Sequence, residues 1–140
     1  MGQQQLLLII LGLILVGIAV AVGITMFKDN AVSANRDSVT NDLANLASRA
    51  RQYYRRPKAS GGGGRSFANL TVGSGMKLIT KTSSSSVRNG NGTYTIVSNS
   101  ASTVRLQGLG TEVGNDRTNK VKVVMNVWAD SAKVNPASTN

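Results

Sequence analysis

The chain has 140 residues, a net charge of +10 and neither cysteine nor histidine, which removes disulfides, thiolate nucleophiles, imidazole bases and the usual transition-metal ligands together. Its carboxylates, Asp29, Asp37, Asp42, Glu112, Asp116 and Asp130, include a single glutamate; that is a poor basis for an acid/base pair or a metal cage, so neither catalysis nor a cofactor is expected. The basic balance suits polyanion contact, but outside Arg49, Arg51, Arg55, Arg56 and Lys58 the cations are scattered and aromatic residues are few, which makes nucleic acid an open but disfavoured partner.

Met1 to Gln5 carries no Lys or Arg, unlike the basic start of an ordinary secretory signal. Leu6 to Phe27, LLLIILGLILVGIAVAVGITMF, then runs 22 residues without a charge. As a helix it extends roughly 33 Å, enough to cross bilayer hydrocarbon. Every face of it is aliphatic or glycine, so its surroundings must be lipid or other helices of the same kind. No small-residue cleavage pattern precedes Lys28, and the segment is expected to stay attached. Gly17 with Ala21, and Ala19 with Gly23, place small residues four apart on adjoining faces, where they would let neighbouring backbones approach; Gly12 adds a third glycine. A plain anchor with incidental glycines fits these spacings equally well.

Residues 28–57 read as an amphipathic continuation of the same helix. Val32, Val39, Leu43, Leu46, Ala50 and Tyr53 recur at helical spacing, and no Gly or Pro interrupts Lys28 to Arg56. Asn35, Arg36, Asp37, Asn41, Asp42, Arg49, Arg51 and Arg56 are expected on the solvated side. Pro57 should end the helix, with Arg55 and Arg56 in the last turn suiting its negative end. Within the 58–66 loop, Ser60 to Gly64 reads as a flexible hinge; no GK[ST] follows it, so a phosphate-cradling loop is not supported.

From Phe67 to Asp130 the texture becomes β-prone. Phe67–Val72 is a candidate strand or turn; Met76–Thr82, Thr93–Ser98, Thr103–Gln107 and Lys120–Trp128 are stronger strands. Turns are signalled at Asn89–Gly92, Ser98–Ser102 and Gly114–Asn119. An antiparallel sheet follows, with Leu78, Tyr94, Ile96, Val104, Leu106, Val121, Val123 and Met125 on its apolar face. The stripe formed by Val39, Leu43, Leu46, Ala50 and Tyr53 is the natural lid, and the expected class is α+β. Asn69 and Asn91 head Asn-X-Thr glycosylation sequons, and Ser83 to Ser86 is a further serine-rich candidate. Residues 131–140 read as a surface tail with Pro136.

An apolar N-terminal helix running into an amphipathic half, a glycine loop and a small antiparallel sheet resembles the type IV pilin family and its relatives in secretion pseudopili and archaeal filaments. The resemblance implies a subunit held in the inner or cytoplasmic membrane, then extracted by pilus assembly machinery into an extracellular filament of identical copies. Its apolar helices would form the filament core, with Gln5, Leu6, Ile10, Gly12, Leu13, Gly17, Ala21, Gly23 and Phe27 on the assembly helix, and the sheets would form the shell. Two positions depart from the bacterial pattern. Gln5 stands where many members have glutamate, leaving neutral hydrogen bonds in place of an ion pair with a neighbour's terminal amine. Val22 stands where many have a helix-breaking proline, so a continuous helix is expected.

The leading expectation is therefore a filament subunit for adhesion, motility or surface contact. The alternatives are a single-span protein with a β-rich binding head and a DNA-handling pilin. Lys28 and Arg36, the nearest charges beyond the span, would by the positive-inside rule keep the head cytoplasmic; a basic leader removed in maturation would resolve that conflict.

Overall fold

A computed structural model describes residues 2–73, 77–80 and 86–135, giving backbone alone at 71–73 and 77–80. One helix, α1 (Gly2–Arg55), carries both the apolar run and the amphipathic stretch without a break. At about 1.5 Å per residue it is roughly 80 Å long. Pro57 adopts an extended conformation (φ −61°, ψ 151°) just beyond its end, consistent with the bias of proline against a helical predecessor.

Among the described residues seven strands follow: β1 (Leu70–Gly73), β2 (Lys77–Thr80), β3 (Val87–Arg88), β4 (Gly92–Asn99), β5 (Thr103–Val113), β6 (Lys120–Trp128) and β7 (Ala132–Val134). β1 and β2 form an antiparallel hairpin with Leu70 opposite Thr80. The remaining strands make an antiparallel meander in the order β3-β4-β5-β6-β7. The fold is thus α+β, a long N-terminal helix packed on a small antiparallel sheet.

The apolar stripe of α1 meets the inner face of this sheet. Val32, Val39, Leu43, Leu46, Ala47, Ala50 and Tyr53 are buried on the helix; Tyr94, Val104, Leu106, Val121, Val123, Met125 and Val127 are buried on the sheet. Ile96 is half-buried against the same core. Side-chain placement at Leu78, and all of Met76, Thr82, Ser83 to Ser85 and Pro136, lie outside the described residues.

Three features depart from the sequence reading. β5 does not stop at Gln107 but continues through Gly108 and Gly110 to Val113. At these glycines α1 lies tight against the sheet. A Cβ at Gly108 would lie 2.5 Å from Val39 Cγ1 and 3.1 Å from Tyr94 Cε1, and one at Gly110 would collide with the Asn35 side-chain oxygen. Gly108→Ala should therefore cost about 1–3 kcal/mol through overpacking, measurable as a lower denaturation midpoint. An unchanged midpoint would mean that the helix yields there.

The second departure lies at the chain's end: part of the expected tail, Ala132–Val134, pairs with β6 as an edge strand, Val134 opposite Met125. Val134 packs against the core, which gives a short apolar-polar alternation in a polar stretch a reason to be extended.

The third is the glycine-rich loop, which is no hinge. Gly63 N–H donates to the Tyr53 carbonyl (2.8 Å), Arg65 N–H to Tyr54 (2.8 Å) and Gly64 N–H to Arg56 (2.9 Å). The last helical carbonyls lack intrahelical donors, and the loop folds back to supply them. Gly61 sits in the left-handed region (φ 73°), and a Cβ on Gly63 would strike the Ser66 carbonyl and the Tyr53 ring. Phe67, fully buried, then stacks at a tilt on Tyr54 with ring centroids 4.7 Å apart.

Candidate assembly surface

Before α1 reaches the sheet, nothing among the described residues covers it. Leu6 to Phe27 expose sixteen large apolar side chains, from 47% at Val22 to 81% at Phe27. Burying such a side chain is worth about 1.5–3 kcal/mol, so a surface of this kind does not persist in water. The helix is long and apolar enough to cross a bilayer, by length and composition. The one hydroxyl between Leu6 and Phe27, on Thr25, donates to the backbone carbonyl of Ala21 (2.7 Å) or Val22 (3.2 Å); it therefore needs no partner from the surroundings.

The continuous helix also corrects the placement of the small residues. At about 100° per residue, Gly12, Ala19 and Gly23 fall within roughly 40° of one another, whereas Gly17 and Ala21 lie on the opposite side. The two seams face away from each other rather than adjoining. A Cβ at Gly12, Gly17 or Gly23 would meet nothing within 4 Å, so packing within one chain does not require these glycines. Gln5, Leu6, Ile10 and Leu13 belong to the same exposed stretch.

Where the bare helix enters the head, the β5–β6 turn overhangs it. Phe27, Ala31, Val32, Glu112, Val113 and Arg117 are among the walls of an open cleft of about 600 Å³.

Two polar residues fix how the helix is rotated against the sheet. Asn35 donates to the Asn91 carbonyl (3.0 Å) and to Thr111 Oγ1 (3.2 Å), while its oxygen accepts from Glu112 N–H (3.4 Å). A bulge between Leu109 and Val113 brings Thr111 and Glu112 into reach. Two turns further on, one Asp42 oxygen accepts from Tyr94 OH (2.6 Å), Asn89 Nδ2 (2.8 Å) and Asn91 Nδ2 (2.9 Å). Asn89 also organises the β3–β4 turn, its Oδ1 accepting from Asn91 and Gly92 N–H. Asn35 and Asp42 are thus head contacts, not members of the solvated side. Helical geometry carries the missed signal, since both lie within roughly 80° of Val32 around the axis, at the margin of the apolar stripe.

The clamp has a pH window. Burial opposes ionisation of Asp42, but its bonds from Tyr94, Asn91 and Asn89 outweigh burial and hold the carboxyl below its usual value. Burial, then the Asp42 carboxylate, pushes the Tyr94 phenol up. The Asp42 contribution is therefore complete above the ordinary aspartate pKa, about 3.9, and lost as pH falls through the lower folded value. The Tyr94 contribution is complete below about pH 10 and declines above it, where the unfolded phenol ionises first. Tyr94→Phe should cost about 1–3 kcal/mol at neutral pH, with the gap from wild type narrowing above about pH 10 in thermal melts. A constant gap would mean that the phenol carries no linked proton.

Of the two sequons, Asn69 has an exposed side chain, while the Asn91 amide nitrogen that a glycan would occupy is engaged by Asp42.

The architecture is pilin-like in layout. Comparison with family models, curated proteins and solved structures returns no match.

Proposed function

We propose that the chain is the structural subunit of an extracellular type IV pilus-like filament, serving adhesion, motility or surface contact. Before assembly, Leu6 to Phe27 lies in the inner or cytoplasmic membrane, from which assembly machinery transfers it into a bundle with identical copies.

The observation that carries this reading is the single helix shared by two environments. A tether needs only a span and a linker, whereas here the bare half continues without a break into a half that is buried under the sheet and clamped at Asn35 and Asp42. Each head is thereby held at a set angle to its core segment, as regular stacking demands. The opposed small-residue seams support the same reading, because they offer close approach on two sides. Replacing lipid by neighbouring helices is nearly neutral in apolar burial, so packing decides whether they associate.

Electron microscopy of sheared cell-surface material, with mass spectrometry of the N-terminal peptide, tests this. Filaments containing the chain are expected. A head protected from protease on intact cells, with no filaments, would sink the reading and leave a single-span protein.

A further inference from the structure

We propose that the outer face of the sheet, the one turned away from α1, is a binding surface for an acidic polysaccharide. Strand alternation places Arg88, Arg105, Lys122 and Lys133 on this face, all exposed. Their inward neighbours Val87, Val104, Leu106, Val121 and Val123 are buried in the core. The pairing sets their spacing. Arg88 lies opposite Thr93, Thr93 opposite Leu109 and Leu109 opposite Lys122; Arg105 lies opposite Asn126, which lies opposite Lys133. With strands about 4.8 Å apart and about 3.4 Å of rise per residue, Arg88 and Lys122 lie about 14 Å apart in one row, Arg105 and Lys133 about 10 Å apart in another, and the two rows are about 14 Å from each other.

All six carboxylates of the chain are elsewhere: Asp29, Asp37 and Asp42 on α1, Glu112 and Asp116 at the end of β5 and its turn, and Asp130 in the β6–β7 turn. Among the described residues none of the four cations has an ion-pair partner; Arg105 instead donates from Nε to Asn126 Oδ1 (3.1 Å), which orients its guanidinium.

Edge protection accounts for part of this pattern, since lysine and arginine on edge strands discourage unwanted pairing. It covers Arg88 on β3 and Lys133 on β7. It does not account for Arg105 and Lys122, which sit on the interior strands β5 and β6. Ordinary solvated faces intersperse both signs, and this one carries a single sign.

The neutral residues between the cations choose among polyanions. Leu109 and Val124 share the face, and Thr93, Thr95, Gln107 and Asn126 offer hydroxyl and amide groups that match sugar hydroxyls. Single-stranded nucleic acid asks for a row of exposed aromatic rings, and Trp128, half-buried at one end, is the aromatic side chain on this face. A duplex asks for an element that enters a groove, which a flat sheet does not supply. The proposal adds a ligand class to the surface-contact role but does not require polymerisation. Intact binding by a chain that forms no filaments would defeat the filament reading and spare this one.

The test uses the full chain in detergent and immobilised polyuronate, with duplex DNA of matched charge and neutral dextran as comparison probes. Wild type should retain polyuronate in low salt, release it as salt rises, ignore dextran, and hold polyuronate more tightly than DNA. Arg105→Glu with Lys122→Glu should weaken retention by about tenfold or more, and Arg55→Glu with Lys58→Glu, at the end of α1, by less than about twofold. The charge-neutralising pair Arg105→Gln with Lys122→Gln should show a smaller loss and guards against misfolding of the reversal. Equal losses from the two reversals, no loss from the glutamine pair, or tighter binding of DNA than of polyuronate would each overturn the proposal.

Discussion

Gly17→Trp should abolish filament formation while leaving the chain membrane-inserted and its head folded. Nothing in the single chain approaches the position that a Cβ at Gly17 would take, and indole is compatible with an apolar medium, so the isolated subunit loses nothing. A neighbouring helix approaching the seam of Gly17 and Ala21 would meet the ring at backbone distance. Apolar burial barely changes when lipid gives way to protein, and this steric cost falls directly on the packing that drives association. Gly17→Ala is the control. It should keep filaments and add up to about 1 kcal/mol of helix propensity, because a methyl group still permits close approach. Filament mass in sheared fractions should fall by about tenfold or more for the tryptophan variant. Normal yield would place the interface on another face, and a simple anchor would be indifferent to both variants.

Leu43→Ala should lower the stability of the head by about 2–5 kcal/mol. Leu43 is fully shielded in the middle of the stripe, with Val39, Leu46 and Ala47 around it on α1 and the buried face of the sheet above. Removing its isopropyl group leaves a cavity between two rigid elements that collapse poorly onto it. Small domains have total stabilities of about 5–15 kcal/mol, so the loss is a large fraction of what holds the sheet on the helix. Trp128, the chain's single tryptophan, is half-buried on β6 and reports unfolding in denaturant. A loss under about 1 kcal/mol would mean that the helix is not the principal cover of the sheet.

The α+β layout was legible because its two periodicities are undiluted. Val32 to Tyr53 repeats at helical spacing with no Gly or Pro among them, and Lys120 to Trp128 alternates as a strand does. What escaped reading was set by tertiary contact. Gly108 and Gly110 look like strand breakers until a helix is laid across them. Asn35 and Asp42 look like solvent-facing polar residues until the β3–β4 turn presents Asn89 and Asn91 to them. Ser60 to Gly64 has the composition of a flexible linker, and its backbone donors acquire partners only because Pro57 stops the helix with its final carbonyls open. The candidate assembly surface was legible as a need for apolar surroundings. The opposed placement of its small-residue seams requires following the helical angle residue by residue.

The folded-back glycine loop also bears on how the chain withstands peptidases. Four consecutive glycines would ordinarily be the place where an extended backbone enters a protease cleft. Here the amides of Gly62, Gly63 and Gly64 are bound to the carbonyls of Pro57, Tyr53 and Arg56, and Gly62 and Gly63 are buried. Cleavage must wait for the last helical turn to fray, and that turn is held by Tyr53 and Tyr54 against the core. The most degradable-looking stretch of the sequence is thereby tied to the unfolding of the head itself.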